Sequence, residues 1–308
     1  MNKIRKTRKE YQSWGKGYYH LSTDGRKDGK LFYTDGQFAH GMTLIGLLSL
    51  RFALTIYDFT LMDNHVHLLL SGTGAASVCA FDYLKHKISA RLVKDGFPPL
   101  PQDYFFKLTP VKDEEQMRVN YLYIDRNILE RGVCLPGGYP WGAAYLHHAP
   151  LSAQLQGIPA GRLHKRELMS LTDSHAQVPP SWEFHPELGL LPGSWINRVL
   201  FLKLFPSPKD YQTRLTKDYE AFVRLGRQLD EKVVLTANEI KEIARTMARE
   251  MFGGKRISDL SNGEKAKMCL HLQEKYCLDQ EQIALVLSMP QYLVKQLLGS
   301  KDYGTKNG

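Results

Sequence analysis

The chain has 308 residues, 43% of them hydrophobic and 24% charged, and a formal net charge of +9. That length allows two modest domains, or one domain with a large extension, with apolar content enough for real cores. The longest apolar run, MTLIGLLSL, stops at Arg51 well short of a membrane span, and four scattered cysteines without a C-x-x-C pair argue against a zinc ribbon or a disulfide framework.

The basic leader MNKIRKTRKEYQSW lacks the apolar stretch of a secretory signal, so a cytoplasmic protein is expected. GYYHLSTDG (17–25) reads as a strand closed by Asp-Gly, and RKDGKLFYTDG as a basic loop or short hairpin. QFAHGMTLIGLLSLR has helical periodicity. FALTIYDFTLMDNHVHLLLSG reads as two strands joined by a tight turn near Asp63 and Asn64. A helix over AASVCAFDYLKHKISARLVKDG ends at Gly96, and a Pro-rich loop leads to a short strand, YFFKLTPV. A helix over 113–131 follows, with acidic residues in its first turn and Arg131-Gly132 at its close. Single helices interleaved with hairpin-joined strands predict an α+β domain over 1–150, built on a mostly antiparallel sheet with flanking helices.

Residues 151–207 are irregular and proline-bearing, and are expected to be a linker or an accessory lobe. The remainder, 208–308, reads as all-α. PKDYQTRLTKDYEAFVRLGRQL is expected as one long helix, and capping boxes Thr236/Glu239, Ser261/Glu264 and Asp279/Gln282 start three more. A short helix, the turn SMP and a second short helix, QYLVKQLLG, have the spacing of a helix-turn-helix within 264–299.

The stretch LMDNHVHLLL places His65 and His67 on one face of a predicted strand, with Val66 and Leu68 on the other. Two histidines in a strand are, taken alone, more often core residues than ligands. In the helix over 113–131, Tyr123 and Asn127 lie four residues apart on one face. Together the two histidines and the Asn127 oxygen could hold a divalent ion that polarises a phosphodiester, with Tyr123 as the attacking group. A phenol with a pKa near 10 is a poor nucleophile at neutral pH unless a metal or base favours the phenolate. Mg²⁺ or Mn²⁺ would suit such a site, Mn²⁺ matching imidazole better. Tyr121 lies well round the helix from Asn127 and reads as an ordinary core aromatic. A histidine-triad nucleotide hydrolase would need a further histidine at position 69, which is Leu69. Tyr18, Tyr19 and His20 are read most simply as strand residues.

LMDNHVHLLL resembles the histidine-hydrophobic-histidine motif of the HUH endonuclease superfamily, and more narrowly of the single-tyrosine transposases of the REP-associated branch. YYHLSTDGRKDGKLFYTD, YLYIDRN and GYPWGAAYLH resemble, in order, that family's opening strand and basic loop, its tyrosine helix, and its Tyr-x-Trp segment. The resemblance spans the first half of the chain and implies a ferredoxin-like or palm-like HUH core. It implies cleavage of single-stranded, hairpin-containing DNA through a 5′-phosphotyrosine link that can be passed to another end. Carried over, His65, His67 and Asn127 would be metal ligands and Tyr123 the nucleophile; the family also implies a possible homodimer. Two departures stand out: Ile128 follows Asn127 where the family usually has proline, and Gly142 and Ala143 replace serines.

A basic excess of this size permits polyanion binding, nucleic acid above all. Arg26, Lys27, Lys30, Lys85, Lys87, Arg91 and Lys94 are candidates to track a DNA backbone. Arg126, beside the proposed site, is a candidate phosphate contact or a partner for Glu130. In the helix-turn-helix, Gln291, Tyr292, Lys295 and Gln296 are the candidate base readers. The alternative to an enzyme is a domesticated, non-cleaving DNA-binding protein that keeps the HUH fold and the helix-turn-helix.

Overall fold

Alternating apolar residues closed by turn formers give four strands, β1 (Lys16–Thr23), β2 (Thr55–Leu61), β3 (Val66–Thr73) and β4 (Phe106–Val111). They form one sheet in the order β2-β3-β1-β4, antiparallel throughout. The computed structural model describes residues 6–23, 29–130, 135–148, 155–231 and 233–299. A short first helix, α1 (Arg8–Gln12), starts from a Thr7/Glu10 capping box hidden in the basic leader and buries Tyr11.

The register gives the two faces of the sheet different work. Leu21, Ile56, Phe59, Leu61, Leu68 and Leu70 join a core with residues of α2 (Asp35–Arg51) and α3 (Gly74–Lys94). Both helices begin at a threonine, Thr34 and Thr73, whose hydroxyl accepts a backbone N–H of the first turn. The opposite face carries a polar grid. Thr60, His67 and Ser22 lie in one cross-strand row, and Asp58, Leu69 and His20 in the next.

A bulge between Ile56 and Asp58 makes this grid possible. By alternation alone the two residues would share a face. With Tyr57 passed over in the register, Ile56 points into the apolar core and Asp58 to the other side. There α4 (Glu114–Glu130) lies against β2 and β3, and the Thr60 hydroxyl donates to Ile124 O at 3.2 Å.

The chain divides into two compact units, Met1–Lys217 and Asp218–Gly308. The first therefore extends beyond the boundary near 150. The segment expected as a linker or accessory lobe holds two short helices, α6 (Lys165–Thr172) and α7 (Val199–Leu204), and a small sheet of β5 (Ile158–Pro159), β6 (Glu183–His185) and β7 (Gly189–Leu190). β7 packs on α2, Leu190 N donates to Thr43 Oγ1 at 3.1 Å, and Trp182, Phe184, Leu190 and Trp195 enter the main core. These apolar residues are spaced without period, so no regular pattern announces their burial.

The long helix expected over 208–229 is two helices, α8 (Pro208–Leu215) and α9 (Tyr219–Leu229). The Thr216 hydroxyl donates back to Gln212 O at 2.9 Å, competing locally with helix continuation. The break coincides with the boundary between the units. Beyond it, α9, α10 (Ala237–Met251), α11 (Asn262–Tyr276), α12 (Gln280–Leu287) and α13 (Gln291–Gly299) form the second unit. All three capping boxes read from sequence are formed. α12 ends at Ser288, whose φ of 50° reverses the chain before Pro290 and α13. Among the described residues no helix is long and apolar enough to cross a membrane.

Gly189 tests how firmly the 155–217 segment is attached. Its φ is +73°, and a Cβ there would lie 2.3 Å from Ala39 O of α2. Gly189→Ala should destabilise the first unit by about 1–3 kcal/mol, read as a lower urea midpoint. Gly263→Ala, which meets nothing within 4 Å, should be neutral or mildly stabilising. Equal midpoints for the two variants would mean that the segment is only a tether.

Candidate functional site

The polar grid on the sheet meets a polar stripe on α4, where Asn120, Tyr123 and Asn127 recur at i, i+3 and i+7 on one helical face. Asn120 Nδ2 donates to Gln116 O at 2.6 Å, which turns its Oδ1 toward His20 Nδ1, also at 2.6 Å. His20 Nε2 stands 2.9 Å from His67 Nδ1. The amide orientation assigns the protons along this chain: an oxygen at Asn120 calls for N–H at His20 Nδ1. His20 Nε2 is then an acceptor, His67 Nδ1 the donor, and His67 Nε2 the atom left with a lone pair.

His65 lies in the turn just ahead of β3 rather than in the strand. Its ring centroid is nonetheless 4.9 Å from that of His67. Nδ1 of His65 is 2.8 Å from Asn64 Oδ1, and Nε2 is 3.4 Å from Asn127 Oδ1. Asn127 Nδ2 donates to Tyr123 O at 2.8 Å, so its oxygen faces the imidazole. In the neutral tautomer with its proton on Nδ1, toward Asn64, His65 Nε2 carries a lone pair. Two acceptors then face each other at 3.4 Å, a separation suited to neighbouring ligands of one cation.

The Tyr123 ring lies 5.8 Å from His67 and 6.1 Å from His20, centroid to centroid. Tyr123 is 3% exposed and His67 fully buried, whereas His65 and Asn127 are half-buried. The site thus has a buried floor and a rim that solvent reaches. Burial holds both floor histidines neutral. The His20 imidazole is pushed down to about 4, opposed by its bond to Asn120, and that of His67 well below its ordinary range, with help from the neighbouring His65 and His20.

Of the residues read from sequence, the structure brings His65, His67, Tyr123 and Asn127 together. His20 and Asn120 complete the group and were not singled out. Asn120 was visible as the first member of the helical stripe; His20 acquires its place only when β1 lies beside β3. Tyr121 is buried on α4 with its ring against His147 and Phe201, and desolvation pushes its hydroxyl far above the ordinary tyrosine range. Ile128 is also buried, continuing the helix where the family has proline. Gly142 bridges Thr60, and a Cβ there would approach Phe59 O to 3.1 Å, while Ala143 is fully buried.

The expected DNA contacts fare unevenly. Arg126 is 1% exposed, with Nη1 3.5 Å from Leu215 O, so it lies inside the first unit and presents no charge to a ligand at the surface. This corrects its expected role as a phosphate contact: on α4 it occupies a face turned to the protein. Arg26 and Lys27 lie outside the described residues. Lys30 is exposed, 3.7 Å from Asp63. Lys85 donates to Tyr104 O, Lys87 to Asp173 at 3.0 Å, and Arg91 to Asp95 at 2.7 Å. Arg91 and Lys94 also line a cleft of about 770 Å³ with His40, Trp141 and Asp173. Gln291, Tyr292, Lys295 and Gln296 are exposed on α13.

A second polar cluster was not foreseen. Asp58 of β2, Asp125 of α4 and His147 of α5 (Tyr145–His148) are buried together, with potential ligand atoms within 4.8 Å of one another. Burial raises the Asp58 carboxyl, reinforced by Asp125; burial likewise pushes Asp125 up to about 7, opposed by a hydrogen bond from Tyr211. An aspartate inside TIYDFTL was the one signal in the sequence.

No family model matches the chain, and no curated protein matches it in sequence. Among solved structures, a REP-associated tyrosine transposase bound to a REP hairpin is similar over 59% of this chain and 97% of that one, at 14% identity and a TM-score of 0.37. A likeness at that level carries no weight for fold or activity.

The tautomer chain has a spectroscopic consequence. Histidine ¹⁵N shifts should show His20 neutral, with its proton on Nδ1, from pH 7 down to about 5. Because its folded pKa lies below the unfolded value of about 6.5, its contribution to stability is present above that pH and is lost as pH falls toward 4. A His20 resonance titrating near 6.5 would contradict this arrangement.

Proposed function

We propose that the first unit is a metal-dependent, single-strand-specific DNA endonuclease and strand transferase of the single-tyrosine HUH type. The observation that carries this reading is the convergence of His65 Nε2, Asn127 Oδ1 and the His67 imidazole beside the Tyr123 ring. His65, His67 and Asn127 would hold Mg²⁺ or Mn²⁺, two nitrogens and one oxygen leaving positions for phosphate oxygen and water. When bound, the ion neutralises charge on the phosphate and favours the phenolate form of a nearby tyrosine.

The chain's own residues do the rest. Asn120 and His20 fix the His67 tautomer and ring angle, the role of outer-shell partners in metal sites. The Asn127–Tyr123 carbonyl bond ties the amide ligand to the turn that carries the nucleophile. Tyr123 Oη attacks the scissile phosphorus, forming the O–P bond of a 5′-phosphotyrosine as the bond to the 3′ oxygen breaks. The phenol proton passes to solvent, and the departing oxygen takes one up as a 3′-hydroxyl. Attack on the phosphotyrosine by another 3′-hydroxyl reverses these steps and joins new ends without a nucleotide cofactor. DNA would enter over the half-exposed rim of His65 and Asn127.

Recognition is proposed to be shared between the units. Lys30 and the cleft edge at Arg91 and Lys94 would follow the sugar-phosphate backbone. α12 and α13 would act as a helix-turn-helix, with Gln291 and Lys295 offered to the duplex stem of a hairpin.

The test is a denaturant-resistant protein–DNA adduct formed with labelled hairpin-bearing single strands and Mn²⁺. Tyr123→Phe should abolish the adduct, and His67→Ala should lower its rate by on the order of 100-fold or more. Asn120→Leu, which removes the acceptor behind His20, should weaken Mn²⁺ binding by about 10–100-fold while leaving Tyr123 in place. Salt-sensitive DNA binding with no adduct in the wild type would instead favour a non-cleaving DNA-binding protein.

A further inference from the structure

Asp58, Asp125 and His147 come from three separate elements and meet in the interior of the first unit. Each carboxylate is oriented through one oxygen. Phe59 N–H donates to Asp58 Oδ1 at 2.8 Å, and the Tyr211 hydroxyl donates to Asp125 Oδ2 at 2.7 Å. The other oxygens, Asp58 Oδ2 and Asp125 Oδ1, are buried and make no hydrogen bond among the described residues. Nor does the hydroxyl of Tyr121, fully buried. The His147 ring is stacked on Phe201, centroids 3.5 Å apart and planes 6° from parallel, which sets its orientation.

An ion pair and a bound cation could each reconcile such groups, and they need different geometry. A histidinium–aspartate pair would bring nitrogen and oxygen within about 3 Å. Here His147 Nε2 stands 3.9 Å from Asp58 Oδ1, too far for such a pair. Ligand atoms grouped around one point and oriented from behind suit a small ion held between them.

We propose that Asp58, Asp125 and His147 form a second, structural cation site that takes a divalent transition ion such as Zn²⁺ or Mn²⁺, with the Tyr121 ring beside His147. One imidazole nitrogen with two carboxylate oxygens is a donor set for that class of ion. The site pins β2 to the back of α4, and Asp125 lies two residues from Tyr123. It stands independently of the activity proposed for Tyr123.

The test is the metal content of the full chain after dialysis, by inductively coupled plasma mass spectrometry, in the His65→Ala/His67→Ala background, which removes the other candidate site. About one equivalent of Zn²⁺ or Mn²⁺ should remain, and adding the near-isosteric Asp58→Asn should reduce it to a small fraction of that. In the wild type, a strong chelator should lower the melting temperature by several degrees, and Zn²⁺ or Mn²⁺ should restore it. This second measurement does not depend on any variant folding. No retained metal together with a chelator-insensitive melting temperature would overturn the proposal, as would metal retained at the same level in the Asp58→Asn protein.

Discussion

The contact on which the site depends is the 2.9 Å hydrogen bond between His20 of β1 and His67 of β3. It joins two imidazoles in the dry space between sheet and helix, where burial keeps both neutral. A neutral pair can bond in only one sense at a time, and Asn120 chooses that sense by presenting oxygen to His20. Everything that makes His67 a usable ligand follows from that choice. If the Asn120 amide were reversed, the proton pattern would run the other way and His67 would turn an N–H toward the site.

The same economy of placement explains the polar residues that α4 turns toward the sheet. Asn120, Tyr123 and Asn127 lie on one stripe and face the histidines. Asp125, on another, reaches Tyr211 and the buried cluster with Asp58. The bulge at Tyr57 makes the second meeting possible, since it lets one short strand supply Ile56 to the apolar core and Asp58 to α4. Helix and sheet are thus joined by polar contacts on one face and by close-packed side chains on the other. Buried polar contacts are demanding of geometry and fix one register, which a purely apolar interface would leave less sharply defined.

Much of this was legible in the amino-acid sequence wherever local chemistry decides. The strands, the helices over 35–51 and 74–94, and the three capping boxes are set by alternation, helical period and side-chain caps. The association of His65, His67, Tyr123 and Asn127 could be read from spacing and motif. What could not be read depends on which strands become neighbours. His20 is an ordinary strand histidine until β1 inserts between β3 and β4. Asp58 is an oddity until the bulge turns it. The 155–217 segment hid its membership of the first unit because its tryptophans and phenylalanines follow no period, and the helix over 208–229 was broken by Thr216 against its propensity. Arg126, a charged residue beside the proposed site, could be read as a phosphate contact or a partner for Glu130, and the helix turns it inward toward Leu215 O.

The most direct measurement of the central claim is anomalous scattering from crystals of the full chain soaked in Mn²⁺. A peak should appear bounded by His65 Nε2, His67 Nε2 and Asn127 Oδ1, with the His20–Asn120 bond retained behind it. A fully occupied Mn²⁺ elsewhere and none among these three atoms would contradict it, and would leave the histidines as a buried hydrogen-bonded pair.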